Sequence, residues 1–164
     1  MSVQAYLTQP RRPSGSEKQI YLHPGHFYFT TEHVVVSTVL GSCVSLCLYD
    51  EAHTAAGMNH FLLPESTARH GSPRFGDSAN EALLEQFLKA GVPIWSLRAK
   101  VFGGASMGGA NVGDLASRNV EAALLFLLDN NIPIVSQDTG GARGRKLLFR
   151  TCDGSAWIRL LGDR

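Results

Sequence analysis

A cysteine that directly follows a glycine–serine break in an apolar run is the first residue in this chain with an obvious chemical use: Leu40-Gly-Ser-Cys-Val44. Glycine lets the main chain turn sharply, so the thiol can be lifted out of a strand with its own N–H exposed beside it. That suits a nucleophile that attacks a carbonyl while backbone donors hold the oxyanion. Seventeen residues later comes His60, in Met58-Asn-His60 followed by Phe-Leu-Leu-Pro. An imidazole beside a cysteine-bearing strand can form a thiolate–imidazolium pair, holding the Cys43 pKa below the free-cysteine value of about 8.5. Both residues also have plainer readings. A free cysteine is often a small buried hydrophobe, and a lone histidine in an apolar run is more often structural. Taken singly, the two residues leave these alternatives open.

The third feature is the glycine-rich stretch from Phe102 to Gly113, which leads into a helical pattern. Such a loop can cradle phosphate, but it lacks both Gly-Lys-Ser/Thr and the G-x-G-x-x-G spacing. Its glycines fit close main-chain approach to a neighbouring element, such as the cysteine-bearing strand, and the Asp138-Thr-Gly-Gly141 turn has the same character. Of the remaining thiols, Cys47 sits mid-strand without a glycine and reads as core. Three cysteines do not form a disulfide framework, and no second pair of ligands completes a zinc site. His23, His26, His33, His53 and His70 lie in polar settings.

The elements that must position these residues follow from the pattern. Residues 1–18 are polar and rich in Pro, Arg, Ser and Gly, and read as a flexible leader before one domain over 19–164. Strands are expected at Ile20–Leu22, Phe27–Phe29, Val34–Leu40, Cys43–Tyr49 and Gly57–Leu63, then a loop over Glu65–Asp77. A first helix is expected to start with Ser78 as N-cap and Glu81 at the capping-box position, bury Leu83, Leu84, Phe87 and Leu88, and stop at Gly91. A second should run from about Asp114 to Asp129, burying Val120, Ala123, Leu124, Leu127 and Leu128. Each leads into a similar phrase, Val92-Pro-Ile-Trp-Ser and Ile132-Pro-Ile-Val-Ser, suggesting two helix-to-strand units on one sheet. Lys146–Arg150 and Ala156–Leu161 read as a hairpin around Asp153-Gly154. The fold class is α/β: mixed β-sheet layers covered by two main helices in a single domain.

Composition excludes several classes. The 164 residues are 44% hydrophobic and 18% charged with net charge +1, an ordinary globular balance. The 15 basic residues are scattered, which argues against a nucleic-acid or membrane-surface binder. The longest apolar run, Ala122–Leu128, is far too short to span a bilayer, and the N-terminus has no secretory apolar stretch. A cytoplasmic location is the expectation.

With these phrases in order, the chain resembles the CheD family of chemoreceptor glutamine deamidases. The shared phrases are Leu40-Gly-Ser-Cys-Val44, Gly57-Met-Asn-His-Phe-Leu-Leu-Pro64, Lys100-Val-Phe-Gly-Gly-Ala-Ser-Met107, Val112-Gly, Arg118-Asn-Val-Glu-Ala122 and Asp138-Thr-Gly-Gly141. The resemblance implies hydrolysis of glutamine side chains on methyl-accepting chemotaxis receptors to glutamate, with Cys43 as nucleophile, His60 as general base and no metal or organic cofactor. It also implies a hydroxyl that orients the histidine, from a threonine six residues before the cysteine. Here Ser37 holds that position and a threonine stands at Thr38. Ser37 shares Cys43's strand parity, whereas Thr38 faces the histidine if Gly41-Ser42 shifts the register; a slight preference goes to Thr38. A CheC-like phosphatase is a partner in some members. The competing readings are a non-catalytic module that docks such a phosphatase or a receptor, and a cysteine peptidase. The short chain without a second lobe disfavours the peptidase.

Overall fold

The computed structural model describes residues 10–66, 71–108 and 110–162, with only the main chain described for 110–113. In chain order the elements are β1 (Gln19–Tyr21), β2 (Phe27–Thr30), β3 (Val35–Leu40), β4 (Val44–Asp50), β5 (Ala56–Asn59), α1 (Gly76–Lys89), β6 (Leu97–Gly103), α2 (Ala110–Asp129), β7 (Ile134–Thr139), β8 (Arg145–Arg150) and β9 (Ala156–Leu160). They build two mixed sheets, ordered β1-β3-β8-β9 and β2-β5-β4-β6-β7.

The alternation in β4 sets the layers. Val44, Leu46 and Leu48 point one way and pack with Leu83 and Phe87 of α1 and Ala123 and Leu127 of α2. Cys47 and Tyr49 point the other way, among Val36 and Leu40 of β3, Leu147 and Phe149 of β8, and Met58 of β5. The order across the molecule is therefore four-stranded sheet, five-stranded sheet, helices. β4 is buried along its whole length because both of its faces are covered.

Both helices deliver the chain into the five-stranded sheet, as the echoed phrases suggest. α1 leads through a single 3-10 turn, Ile94–Ser96, into β6, and α2 leads directly into β7, which pairs parallel to β6. The C-terminal hairpin forms as read, β8 pairing antiparallel with β9. Of the expected leader, residues 1–9 lie outside the described residues, while Glu17 pairs with Arg150 of β8 at 2.9 Å.

Three expectations about the helices are corrected. α1 starts at Gly76 with Phe75 as N-cap and no side-chain cap, so Ser78 and Glu81 form no capping box. The first helical N–H groups go instead to main-chain carbonyls of the segment that follows β5: Gly76 N–H to Leu63 O (2.7 Å) and Asp77 N–H to Pro64 O (3.1 Å). Gly76 permits this approach, since a Cβ there would lie 2.9 Å from the Pro64 carbonyl oxygen. α2 begins at Ala110, four residues before Asp114. Leu88 and Leu128, at the flanks of the two stripes, face solvent.

Candidate active site

Gly41-Ser42 is a corner between sheets. β3 ends at Leu40 in the four-stranded sheet and β4 starts at Val44 in the other, so the three residues ending in Cys43 carry the chain across. The glycine-rich segment closes on this corner as its composition suggests. Gly104 N–H donates to the Cys43 carbonyl at 2.9 Å, and Ala105 N–H to the Gly41 carbonyl at 2.8 Å. A Cβ at Gly103, whose φ is +115°, would sit 2.2 Å from the Cys43 carbonyl oxygen, so this approach requires glycine. Behind it the buried Arg145 guanidinium donates to the carbonyls of Gly103 (2.6 Å), Asp138 (2.7 Å) and Gly140 (2.5 Å). Cys43 is left partly exposed.

His60 reaches the same neighbourhood from β5. A two-way bridge joins Val44 and Phe61 (3.1 and 3.0 Å), which continues the β4–β5 register in which Cys47 faces Met58. In that register Ser45 lies opposite His60, and Cys43 is its diagonal neighbour on the same face. The ladder opens at Asn59, where Leu46 N–H donates to the Asn59 Oδ1 (2.9 Å) and Asn59 Nδ2 donates to Asn80 Oδ1 on α1 (2.8 Å). Beyond the opening, His60 N–H donates to the His26 carbonyl at 3.0 Å.

The imidazole is held from the other sheet. Thr38 Oγ1 lies 2.8 Å from the Leu22 carbonyl and 2.7 Å from His60 Nδ1. A carbonyl only accepts, so the single hydroxyl proton goes to Leu22 and Nδ1 must donate its own proton to the threonine oxygen. Neutral His60 therefore carries its proton on Nδ1 and presents the lone pair of Nε2. Thr38 shares the inward side of β3 with Val36 and Leu40, whereas Ser37 takes the opposite face with Val35 and Val39. Strand parity does not carry from Ser37 to Cys43, because the corner places them in different sheets.

Electrostatics correct one expectation. His60 is 1% exposed, and burial pushes its pKa down to about 4. Burial also raises the Cys43 thiol, outweighing the opposing effect of its N–H. At neutral pH the two groups rest as thiol and imidazole, not as an ion pair, because neither is solvated well enough to carry charge. Such a pair works by moving the proton to Nε2 as the sulfur attacks. Cys47 is fully buried, which raises its thiol pKa, and it lies among apolar side chains as read. His70 lies outside the described residues. Among the described residues no group of three His, Cys, Asp or Glu side chains could hold a metal, and no helix is long and apolar enough to cross a membrane.

The sequence reading assigns no role to Asn59, Asn80 or Asn119, all fully buried. Asn80 and Asn119 interrupt the apolar stripes of α1 and α2, the signal that could have marked them.

Comparison with known proteins shows the family. A model of the family described as CheD chemotactic sensory transduction matches residues 62–160. A protein of Anaeromyxobacter dehalogenans named probable chemoreceptor glutamine deamidase CheD 1 is 48% identical over 149 residues, covering 90% of this chain and 87% of its own. One of the same name from Ruegeria is 44% identical over 134 residues, covering 80% and 71%. A probable chemoreceptor glutamine deamidase CheD from Rhodospirillum rubrum is 41% identical over 143 residues, covering 86% and 81%. With these matches across most of its length, the chain belongs to the CheD family.

Proposed function

We propose that the protein is a chemoreceptor glutamine deamidase in which Cys43 is the nucleophile, His60 the general base and Thr38 the hydroxyl that orients it. The observation that carries this reading is the relay from Leu22 O through Thr38 Oγ1 to His60 Nδ1, which leaves Nε2 free on the face shared with Cys43. The thiol proton passes to Nε2 as the sulfur bonds to the carboxamide carbon, and the carbonyl oxygen takes up negative charge. The Cys43 N–H, beside the sulfur, is a donor for that oxygen. Collapse of the adduct breaks the C–N bond, and the imidazolium gives its proton to the departing ammonia. Water then attacks the thioester, losing a proton to Nε2; the carboxylate of glutamate is released and the thiol reforms. Because the buried imidazolium is costly, His60 returns its proton readily once the C–N bond begins to break.

The relatives' names supply the substrate class, chemoreceptors. The same reading puts the protein in the cytoplasm, where the free Cys43 stays reduced. The family resemblance adds a CheC-like phosphatase as a binding partner, which co-purification tests. For the activity itself, a receptor fragment is incubated with the protein and its peptides are weighed. A gain of about one dalton at a glutamine supports the proposal, in keeping with amide hydrolysis through a thioester. Chain cleavage, or an unchanged receptor, would refute it.

A further inference from the structure

α2 reaches through the helix-side core to the corner that bears Cys43. Asn119, fully buried on that helix, donates both of its amide N–H groups to main-chain carbonyls: Ser42 at 3.0 Å and Leu62 at 2.9 Å. Both acceptors are carbonyl oxygens, so the side-chain amide can sit only one way round; flipped, it would set oxygen against two oxygens. Its own Oδ1 is buried without a partner among the described residues. A buried amide that leaves its acceptor empty pays a desolvation penalty, which the two donated bonds must offset. The two carbonyls flank the Val44–Phe61 bridge, where the strand that bears Cys43 meets the segment that bears His60.

The consequence lies in the peptide plane. In a trans peptide the C=O and the following N–H point in opposite directions. A grip on the Ser42 carbonyl from the α2 side therefore turns the Cys43 N–H away from α2. The carbonyls on either side, Gly41 and Cys43, are held separately by Ala105 and Gly104. Without Asn119 the peptide between them is the one free to rotate.

We propose that Asn119 is a positioning residue: by holding the Ser42 carbonyl it aims the Cys43 N–H at the reacting sulfur and at the oxygen of the substrate amide. It touches neither, and it acts through the peptide plane alone. The inference rests on the reading of Cys43 as nucleophile, but its main test does not depend on that reading.

The test uses the full chain with Asn119→Leu, which keeps the branching at Cγ, adds bulk and removes both donors. It reads the pH onset of iodoacetamide alkylation at Cys43, mapped by peptide mass, together with kcat and KM for receptor deamidation. The expected result is an onset moved to higher pH and kcat lowered about ten- to a hundredfold, less than deletion of a whole oxyanion donor, with KM changed less than about threefold. Asn119→Ser, which keeps one donor, should fall between wild type and Asn119→Leu, and it carries the test if the leucine variant does not fold. Thr151→Val is the structural control. Its hydroxyl accepts the Val34 N–H at 2.9 Å and donates to the Glu32 carbonyl at 2.7 Å, far from Cys43 in sequence and in a different turn. That variant should melt earlier with no change in the alkylation onset. A folded Asn119 variant with the wild-type onset, or an equal shift in Thr151→Val, overturns the proposal. A shifted onset with unchanged turnover supports the brace and refutes the nucleophile assignment instead.

Discussion

The two buried seams of this molecule are built from different materials. Between the five-stranded sheet and the helices the contacts are almost wholly apolar: Val44, Leu46 and Leu48 against Leu83, Phe87 and Leu127. Between the two sheets, apolar side chains share the space with Thr38, Ser45 and His60, all buried. The reactive side chains of the proposed site thus come from the sheet–sheet seam. Among the described residues the helix side contributes asparagines, and these hold main chain or one another: Asn119 binds the Ser42 and Leu62 carbonyls, and Asn80 binds Asn59. In the proposed site one seam supplies the functional groups and the other supports the main chain that carries them. Mutations in the two should therefore fail differently, those in the sheet–sheet seam in chemistry and those under the helices in stability or aim.

The largest contrast should come from Cys43→Ala and Cys47→Ala, one thiol just before β4 and the other within it, on the same face. Loss of Cys43 should abolish deamidation, measured by receptor peptide mass, with the circular dichroism of the fold unchanged. Loss of the buried Cys47 should leave turnover within about threefold, because its thiol is packing alone. Equal activity in the two variants would break the comparison at its centre. Next in size is Phe87→Ala under α1. Removing this fully buried ring should cost about 3–5 kcal/mol in urea unfolding while the pH onset of Cys43 alkylation stays put. A shifted onset would mean that the helix seam reaches the chemistry by more than its asparagines.

Acid probes the sheet–sheet seam from another side. His60 binds its proton at about 4 when folded, against the ordinary histidine value of 6.5 that it regains on unfolding. Between these values the unfolded chain holds the proton and the folded chain does not. Its contribution to stability is therefore intact above pH 6.5 and declines as pH falls toward 4, by about 3 kcal/mol in all. Urea midpoints for wild type and His60→Gln should diverge at neutral pH and draw together in acid; parallel profiles would refute the buried neutral imidazole. The smallest effect is the sharpest. Thr38→Val should lower kcat about ten- to a hundredfold, within the contribution of one general base, whereas Ser37→Ala on the outer face of β3 should change it less than about threefold. A loss confined to Ser37→Ala would overturn the role proposed for Thr38.

Much of the architecture was legible because it rests on local pattern. The alternation of β4, the stripes of α1 and α2, the stop at Gly91 and the C-terminal hairpin all follow from side-chain period and turn chemistry. The proposed site was legible in part. Cys43 and His60 could be singled out from their flanking residues, but the choice between Ser37 and Thr38 could not follow from parity. Parity assumes one continuous strand, and Gly41-Ser42 sends the chain into another sheet. The start of α1 escaped for a related reason, since carbonyls of Leu63 and Pro64 take the place of a capping side chain and leave no trace in residue type. The pairing of thiolate with imidazolium was expected from sequence proximity, but burial, a property of the assembled layers, reverses it.

The relay from Leu22 through Thr38 to His60 has a meaning for folding as well as for chemistry. Thr38 lies 16 residues from Leu22 and 22 from His60 in sequence, and its bond to His60 joins the two sheets. A chain whose sheets have formed but not yet closed would hold both Cys43 and His60, yet the imidazole would lack the partner that selects its tautomer. Such an intermediate carries a thiol with no committed base. On the proposed reading of the site, turnover would return only as the sandwich closes, so its regain during refolding would time that closure.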